Sequence, residues 1–258
     1  MKSNPKIRRV DTFITPYTIN YLHFRNPWVV ACWSAFFPGN GHLMVCKYFS
    51  GYVLIAWEFA INNLSGLNTA IYHSMIGEIQ LAKQDLDMHW ILVYVPVYIF
   101  CIWDSYRLAV QYNNHYLLGF REQETETIIS KNISALEVNL LDKRKPILAI
   151  IWSLFLPGLG HFYLGRLPFV FYSILWFIVI LHFANLLEGI HLSFGGNFSE
   201  AKAVLDPQWL LYLPSIYGFA AYDAYVNAVE YNKLFEREQS RYLKTKYQIE
   251  NSEFDYPV

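Results

Sequence analysis

The chain has 258 residues, a formal net charge of −1, 54% apolar residues and only 16% charged ones. A soluble domain typically carries about 25% charged residues, so the composition argues for a membrane chain. A near-neutral charge, without zinc-ligand spacing or a basic-aromatic motif, gives no footing for nucleic-acid binding.

In chain order, residues 1–26 hold Lys2, Lys6, Arg8, Arg9 and Arg25 but no apolar core with a cleavage site. This segment reads as a cytoplasmic N-terminal stretch, not a cleavable signal. A first repeat follows at 27–113, a cytoplasmic linker at 114–145, a second repeat at 146–232 and a cytoplasmic tail at 233–258. Sliding the sequence on itself by 119 residues aligns the two repeats without a gap, with about 30% identity. The shared stretches include Trp33-Ser34 with Trp152-Ser153, Leu86-Asp87 with Leu205-Asp206, and Tyr112-Asn113 with Tyr231-Asn232.

Each repeat predicts one short helix and two longer ones. The short helices, 28–37 and 147–156, end at Pro38-Gly39-x-Gly41-His42 and Pro157-Gly158-x-Gly160-His161. Proline lacks the backbone donor and pushes the preceding residue out of the helical region, so the helix breaks there. The longer segments are 43–61 and 89–110 in the first repeat, 167–187 and 208–229 in the second. Asp87 and Asp206 sit at N-cap positions, the latter with Pro207 at the first helical position. The connections 62–88 and 188–207 read as interfacial helices, including an amphipathic stretch over 70–83. The linker from 122 reads as polar and partly helical, as does 231–250.

Lys and Arg crowd the N-terminal segment, the central connection (Arg107, Arg121, Lys131, Lys143, Arg144, Lys145) and the tail, whereas the loops after the second segments hold only Lys83 and Lys202. The positive-inside rule then places both termini and the linker in the cytoplasm of a plasma membrane, bacterial by this reading. The fold class is an all-α membrane protein of two tandem repeats, each a short Pro-Gly-broken helix plus two transmembrane helices. In the alternative arrangement the short helices also span, and the copies are inverted.

Ionisable groups inside a membrane are costly, so each is a candidate. His42 and Asp104 should meet at the cytoplasmic edge, as should His161 and Asp223; Lys47 and Arg166 mark the same level. Glu58 lies near mid-depth, where its charged form is disfavoured, with Tyr98 at similar depth and Phe177 as its repeat counterpart. Cys32, Cys46 and Cys101 read as small core residues rather than a disulfide framework. The Pro-Gly-x-Gly turns lack the following Lys-Ser/Thr of a phosphate-binding loop. No catalytic residue, cofactor site or metal site is assigned.

The run Gly160-His161-Phe162-Tyr163-Leu164-Gly165, with the later Asp223, resembles the turn of the TM-two domain family. In that family an apolar helix leads into a Gly-x-His-Arg-Phe-Tyr-x-Gly turn, and a second helix ends at an Asp. The first copy keeps Gly41, His42 and Asp104; neither copy has the Arg after the His, and Asp223 lies about twice as far along. The resemblance implies a membrane location. The functional expectation is a non-enzymatic scaffold or accessory subunit with the lipid bilayer, a membrane protein or a second copy as partner. The alternatives are a small transporter or channel around Glu58 and, behind it, an intramembrane enzyme.

Overall fold

The computed structural model describes residues 12–122, 131–133 and 138–247. Residues 1–11 of the expected N-terminal segment, 123–130 and 134–137 of the linker and 248–258 of the tail lie outside the described residues. The chain is mostly helical.

The first half starts with a hairpin, β1 (Thr12–Ile14) and β2 (Ile19–Tyr21). Then come α1 (Pro27–Phe36), α2 (Asn40–Met44), α3 (Tyr48–Ser65), α4 (Leu67–Met75), α5 (Ile79–Asp85) and α6 (Met88–Glu122). The second half repeats this order as β3 (Lys131–Ile133), β4 (Val138–Leu140), α7 (Pro146–Phe155), α8 (Leu159–Tyr163) and α9 (Leu167–Phe183). It continues with α10 (Leu186–Phe194), α11 (Phe198–Val204), α12 (Pro207–Leu210) and α13 (Leu213–Tyr247). Nearly every element of the first half thus has a counterpart 119 residues later, with the same or nearly the same bounds. The hairpins share it too, Thr12 facing Tyr21 in one and Lys131 facing Leu140 in the other.

The local causes are those the sequence carries. Phe37 and Leu156, each before a proline, are extended, and α1 and α7 stop there. Gly39 and Gly158 follow with φ of 98° and 108°, a backbone region that favours glycine, and open α2 and α8. Asp87 accepts from the His89 N–H, and Asp206 from the Gln208 N–H, satisfying helix-end donors. Pro214 lacks the N–H that would continue the ladder to Leu210, and the last long helix divides there into α12 and α13.

Four expectations change. The second segment of the first half begins at Tyr48, because Leu43 and Met44 finish the preceding short helix, while that of the second half begins at Leu167 as expected. The stretch 70–83 is two helices, parted at Gly77 with φ 86°. The linker beyond 122 is described at 131–133 and 138–145, where it is a hairpin followed by an irregular stretch rather than helix. Only Cys101 is buried; Cys46 is half-buried and Cys32 exposed, all three free.

The expectation of four spanning helices meets a narrower finding. Among the described residues, Met88–Gly119 alone is long and apolar enough to cross a membrane. A second candidate exists if α9 and α10, bent by 64°, count as one span. Helix α3 has the length but carries Glu58, Asn62 and Asn63, and α13 carries Ser215, Asp223 and Asn227.

Within each half, the short first helix lies on the long last one, α1 on α6 and α7 on α13. Between halves the contact is both aromatic and polar, and its aromatic part runs along one seam. Trp33 meets Phe219 and Tyr222 at ring-centroid distances of 5.4 and 5.3 Å, Tyr52 stacks on Tyr172, and Phe59 stacks on Trp176. Each fully buried Phe contributes about 1.5–3 kcal/mol relative to exposure, so this seam holds the halves together.

Candidate functional site

The two Gly-x-Gly-His turns bring three elements together in each half. A Cβ on Gly41 would lie 2.4 Å from Ser34 Oγ and 2.5 Å from the Val30 carbonyl. A Cβ on Gly160 would lie 2.1 Å from Ser153 Oγ and 2.3 Å from the Ala149 carbonyl. The second glycine of the motif therefore lets the short helix sit directly on its predecessor, and Trp-Ser supplies the small residue opposite. That close approach carries the following His toward the Asp on the long helix.

In the first half His42 Nε2 lies 3.2 Å from Asp104 Oδ2, and Arg107 Nε donates to Asp104 Oδ1 at 3.0 Å. The Arg107 side chain is 44% exposed, so this knot has one wet edge. In the second half His161 Nε2 is 4.0 Å from Asp223 Oδ2, and the main partner is different. Arg166 Nη1 donates to Asp223 Oδ2 at 2.6 Å and to His161 Nδ1 at 3.4 Å. Arg25 brings its Nη1 to 3.7 Å from Asp223 Oδ1, across the boundary between halves. Arg25, His161, Arg166 and Asp223 are all buried. Both expected His–Asp approaches occur, and the two arginines that dominate the second were not anticipated.

His23 lies beside this second knot, 3.9 Å from Glu230. Burial and, next, the Arg25 guanidinium hold its imidazole well below the usual range, so it stays neutral and adds no cation. Counting Arg25, Arg166 and Asp223, the buried group carries one excess positive charge. Two conserved-in-form clamps hold the arginine backbones at the two equivalent positions. Asn113 accepts from the Arg25 N–H and donates to its carbonyl, and Asn232 does the same for Arg144.

Glu58 belongs to a separate polar network at the other end of α3. Its Oε1 accepts from Asn62 Nδ2 at 2.8 Å and from the Tyr94 hydroxyl at 3.3 Å. Asn62 also donates to Asn68 Oδ1, Asn68 donates to the Gln208 carbonyl, and Gln208 Nε2 donates to Asn62 Oδ1 at 2.7 Å. The expected partner Tyr98 instead donates to the Ala35 carbonyl at 2.7 Å. The correction is one helical turn: Tyr94, not Tyr98, faces Glu58 from α6. Asn62, Asn68 and Gln208 are functional-looking residues that composition alone does not pick out, since none is charged.

Chemically, both knots are paired ions and donors, the second also touching the Tyr48 hydroxyl and through it the Cys46 thiol, and among the described residues no group of three or more His, Cys, Asp or Glu could hold a metal ion. Comparison with protein families, with curated proteins and with solved structures finds no match for this chain.

Proposed function

We propose that this is an integral membrane protein that binds or organises other membrane components, with no chemistry of its own. The observation that supports this is a set of apolar stripes turned outward at helical spacing. On α1 the stripe is Trp28, Cys32 and Phe36; on α7 it is the equivalent Ile147, Ile151 and Phe155. On α6 Leu92, Val95, Ile99 and Trp103 are exposed, and on α9 Phe171, Leu175 and Ile178. Soluble monomers rarely expose contiguous apolar area beyond a few hundred Å², whereas lipid tails solvate such faces at no cost. The likeness of the Gly160–Gly165 turn to the TM-two turn points the same way, as does the concentration of Lys and Arg at the termini and linker.

The polar centre favours a structural role over transport. Glu58, Asn62, Asn68 and Gln208 bond chiefly to one another and tie the first half to the second. A coupling site needs groups free to take up a cation or proton, and here one carboxyl oxygen, Glu58 Oε2, stands apart.

The test is extraction of cell membranes with alkaline carbonate, then with a mild detergent. The expected result is a chain that stays in the pellet under carbonate and dissolves only with detergent; release by carbonate alone sinks the proposal. Labelling of single cysteines from outside intact cells adds the orientation. Positions 75 and 198, both exposed, should react and position 143 should not.

A further inference from the structure

The two halves meet through unlike faces. The first half offers Trp33 and Arg25; the second offers Phe219, Tyr222 and Asp223. Each half carries both kinds of face, because 119 residues separate Trp33 from Trp152, Arg25 from Arg144, Phe219 from Phe100, Tyr222 from Trp103 and Asp223 from Asp104. One chain can bring together only one such pair, so the mirror set is left over. The aromatic members of that set are uncovered. Trp152 is 46% exposed, Phe100 50% and Trp103 57%, against 4% for Phe219.

The uncovered face of the second half is shaped as a vacated version of the filled one. Phe162 is 60% exposed where its counterpart Leu43 is fully buried. Two clefts of about 300 and 380 Å³ share Phe162 and Tyr163; the first is also lined by Arg144, the second by Trp152. Arg144 lies over the Tyr163 ring and, among the described residues, has no carboxylate partner. On the opposite face Asp104 lies next to Trp103 in sequence, mostly buried and already paired with His42 and Arg107, with 12% of its side chain exposed.

We propose that the chain assembles head to tail with further copies of itself, the Trp152–Arg144 face of one chain seating on the Phe100–Trp103–Asp104 face of the next. This deepens the scaffold reading, whose partner it names as a second copy. A contact between unlike faces closes into a ring or runs on as a filament, and either repeats between chains the seam already present within one. Aromatic surface is matched to aromatic surface, and Arg144 would join Arg107 at the exposed edge of Asp104, as Arg25 joins Arg166 at Asp223.

The match has two departures that set its strength. Ile99 stands where Gly218 lies against Trp33, so Trp152 must seat slightly farther out. The network of Asn62 and Gln208 has Leu181 and His89 as counterparts and cannot recur. The seam between chains is therefore weaker than the seam within one, which keeps the chain's own halves correctly paired.

The test uses the full chain in native membranes. Phe155→Cys and Pro96→Cys are combined, the equivalents of Phe36 and Ser215, whose carbonyl and hydroxyl lie 3.3 Å apart in the internal seam. Oxidation should give reducible ladders of two or more chains, absent in the wild type and lost when Arg144→Glu is added. In mild detergent, light scattering should report a mass of several chains. Trp152→Ser should weaken self-association about thirtyfold, as for a central aromatic anchor, without changing the melting temperature. If Trp152→Ser lowers the melting temperature, Arg144→Glu, which changes charge at a half-buried position, decides alone. Single-chain mass together with absent ladders, cross-links only to other proteins, or an oligomer indifferent to both variants overturns the proposal. Carbonate extraction of the same cells reads the membrane location separately, so either conclusion can fail without the other.

Discussion

The two Gly-x-Gly-His turns begin from the same residues and end in different electrostatics. Around Asp104 the positive partner is Arg107, one turn along the same helix and half in solvent. Around Asp223 it is a pair of buried arginines, Arg166 from the edge of α9 and Arg25 from before α1. Lys47, the counterpart of Arg166, is exposed. The shared backbone geometry is thus set by glycine and serine, and the charges are free to differ. In the first half the ion pair decorates the turn; in the second it fastens one half of the molecule to the other.

Removing each carboxylate measures that difference. Asp223→Asn leaves two buried guanidinium groups without a countercharge, a loss of about 3–5 kcal/mol for a broken buried pair. In a domain of this size that corresponds to a fall of roughly 10 °C in melting temperature. Asp104→Asn lets Arg107 turn to water and should cost about 1 kcal/mol. Melting curves of both variants in the same detergent give the comparison; equal losses would mean that Arg25 and Arg166 are not held by Asp223.

The glycines should behave alike in the two halves where the charges do not. Gly41→Ala and Gly160→Ala each put a methyl against a serine hydroxyl and a carbonyl closer than 2.6 Å, where helix backbone cannot yield. Overpacking of this kind costs about 1–3 kcal/mol. Both variants should melt several degrees low by a similar amount, and a large inequality would show that the turns are not equivalent in packing.

How far the sequence carried the structure follows from which forces act locally. The breaks at Phe37 and Leu156, the caps at Asp87 and Asp206, and the approach of His42 to Asp104 depend on residues close in sequence or on helix length, and all were legible. The burial of Arg25 and Arg166 was not. Charge counting sends every arginine to the aqueous edge, and only the docking of the second half makes a dry partner available at Asp223. The hairpins escaped because three-residue strands carry no usable alternation, although the 119-residue offset, extended upstream of 27, does reach them. Tyr94 was passed over for Tyr98 because depth along a helix was judged and phase around it was not. In the second half Phe177 does meet Tyr217, the counterpart of Tyr98, at 5.7 Å.

That last pair frames the smallest expected effect. Glu58 and Phe177 occupy equivalent positions on α3 and α9, both buried. One caps a polar network and the other packs on a ring. In Glu58→Gln the side-chain carbonyl can take the place of Oε1 and still accept from Asn62 and Tyr94. The new amide then occupies the position of Oε2, which has no hydrogen-bond partner to lose. Stability should therefore change by less than about 1 kcal/mol. Glutamine cannot exchange a proton, so a transport cycle coupled through Glu58 would stop while the protein still folded. Two readings of one variant separate the cases: its melting temperature in detergent, and its ability to replace the wild type in cells lacking the chain. A variant that melts normally and fully complements ties Glu58 to the bond between the halves, through Asn62 and Gln208. A variant that melts normally and fails to complement returns the site to transport. The expected outcome is full complementation, because every donor that reaches Glu58 finds its acceptor equally well in Gln.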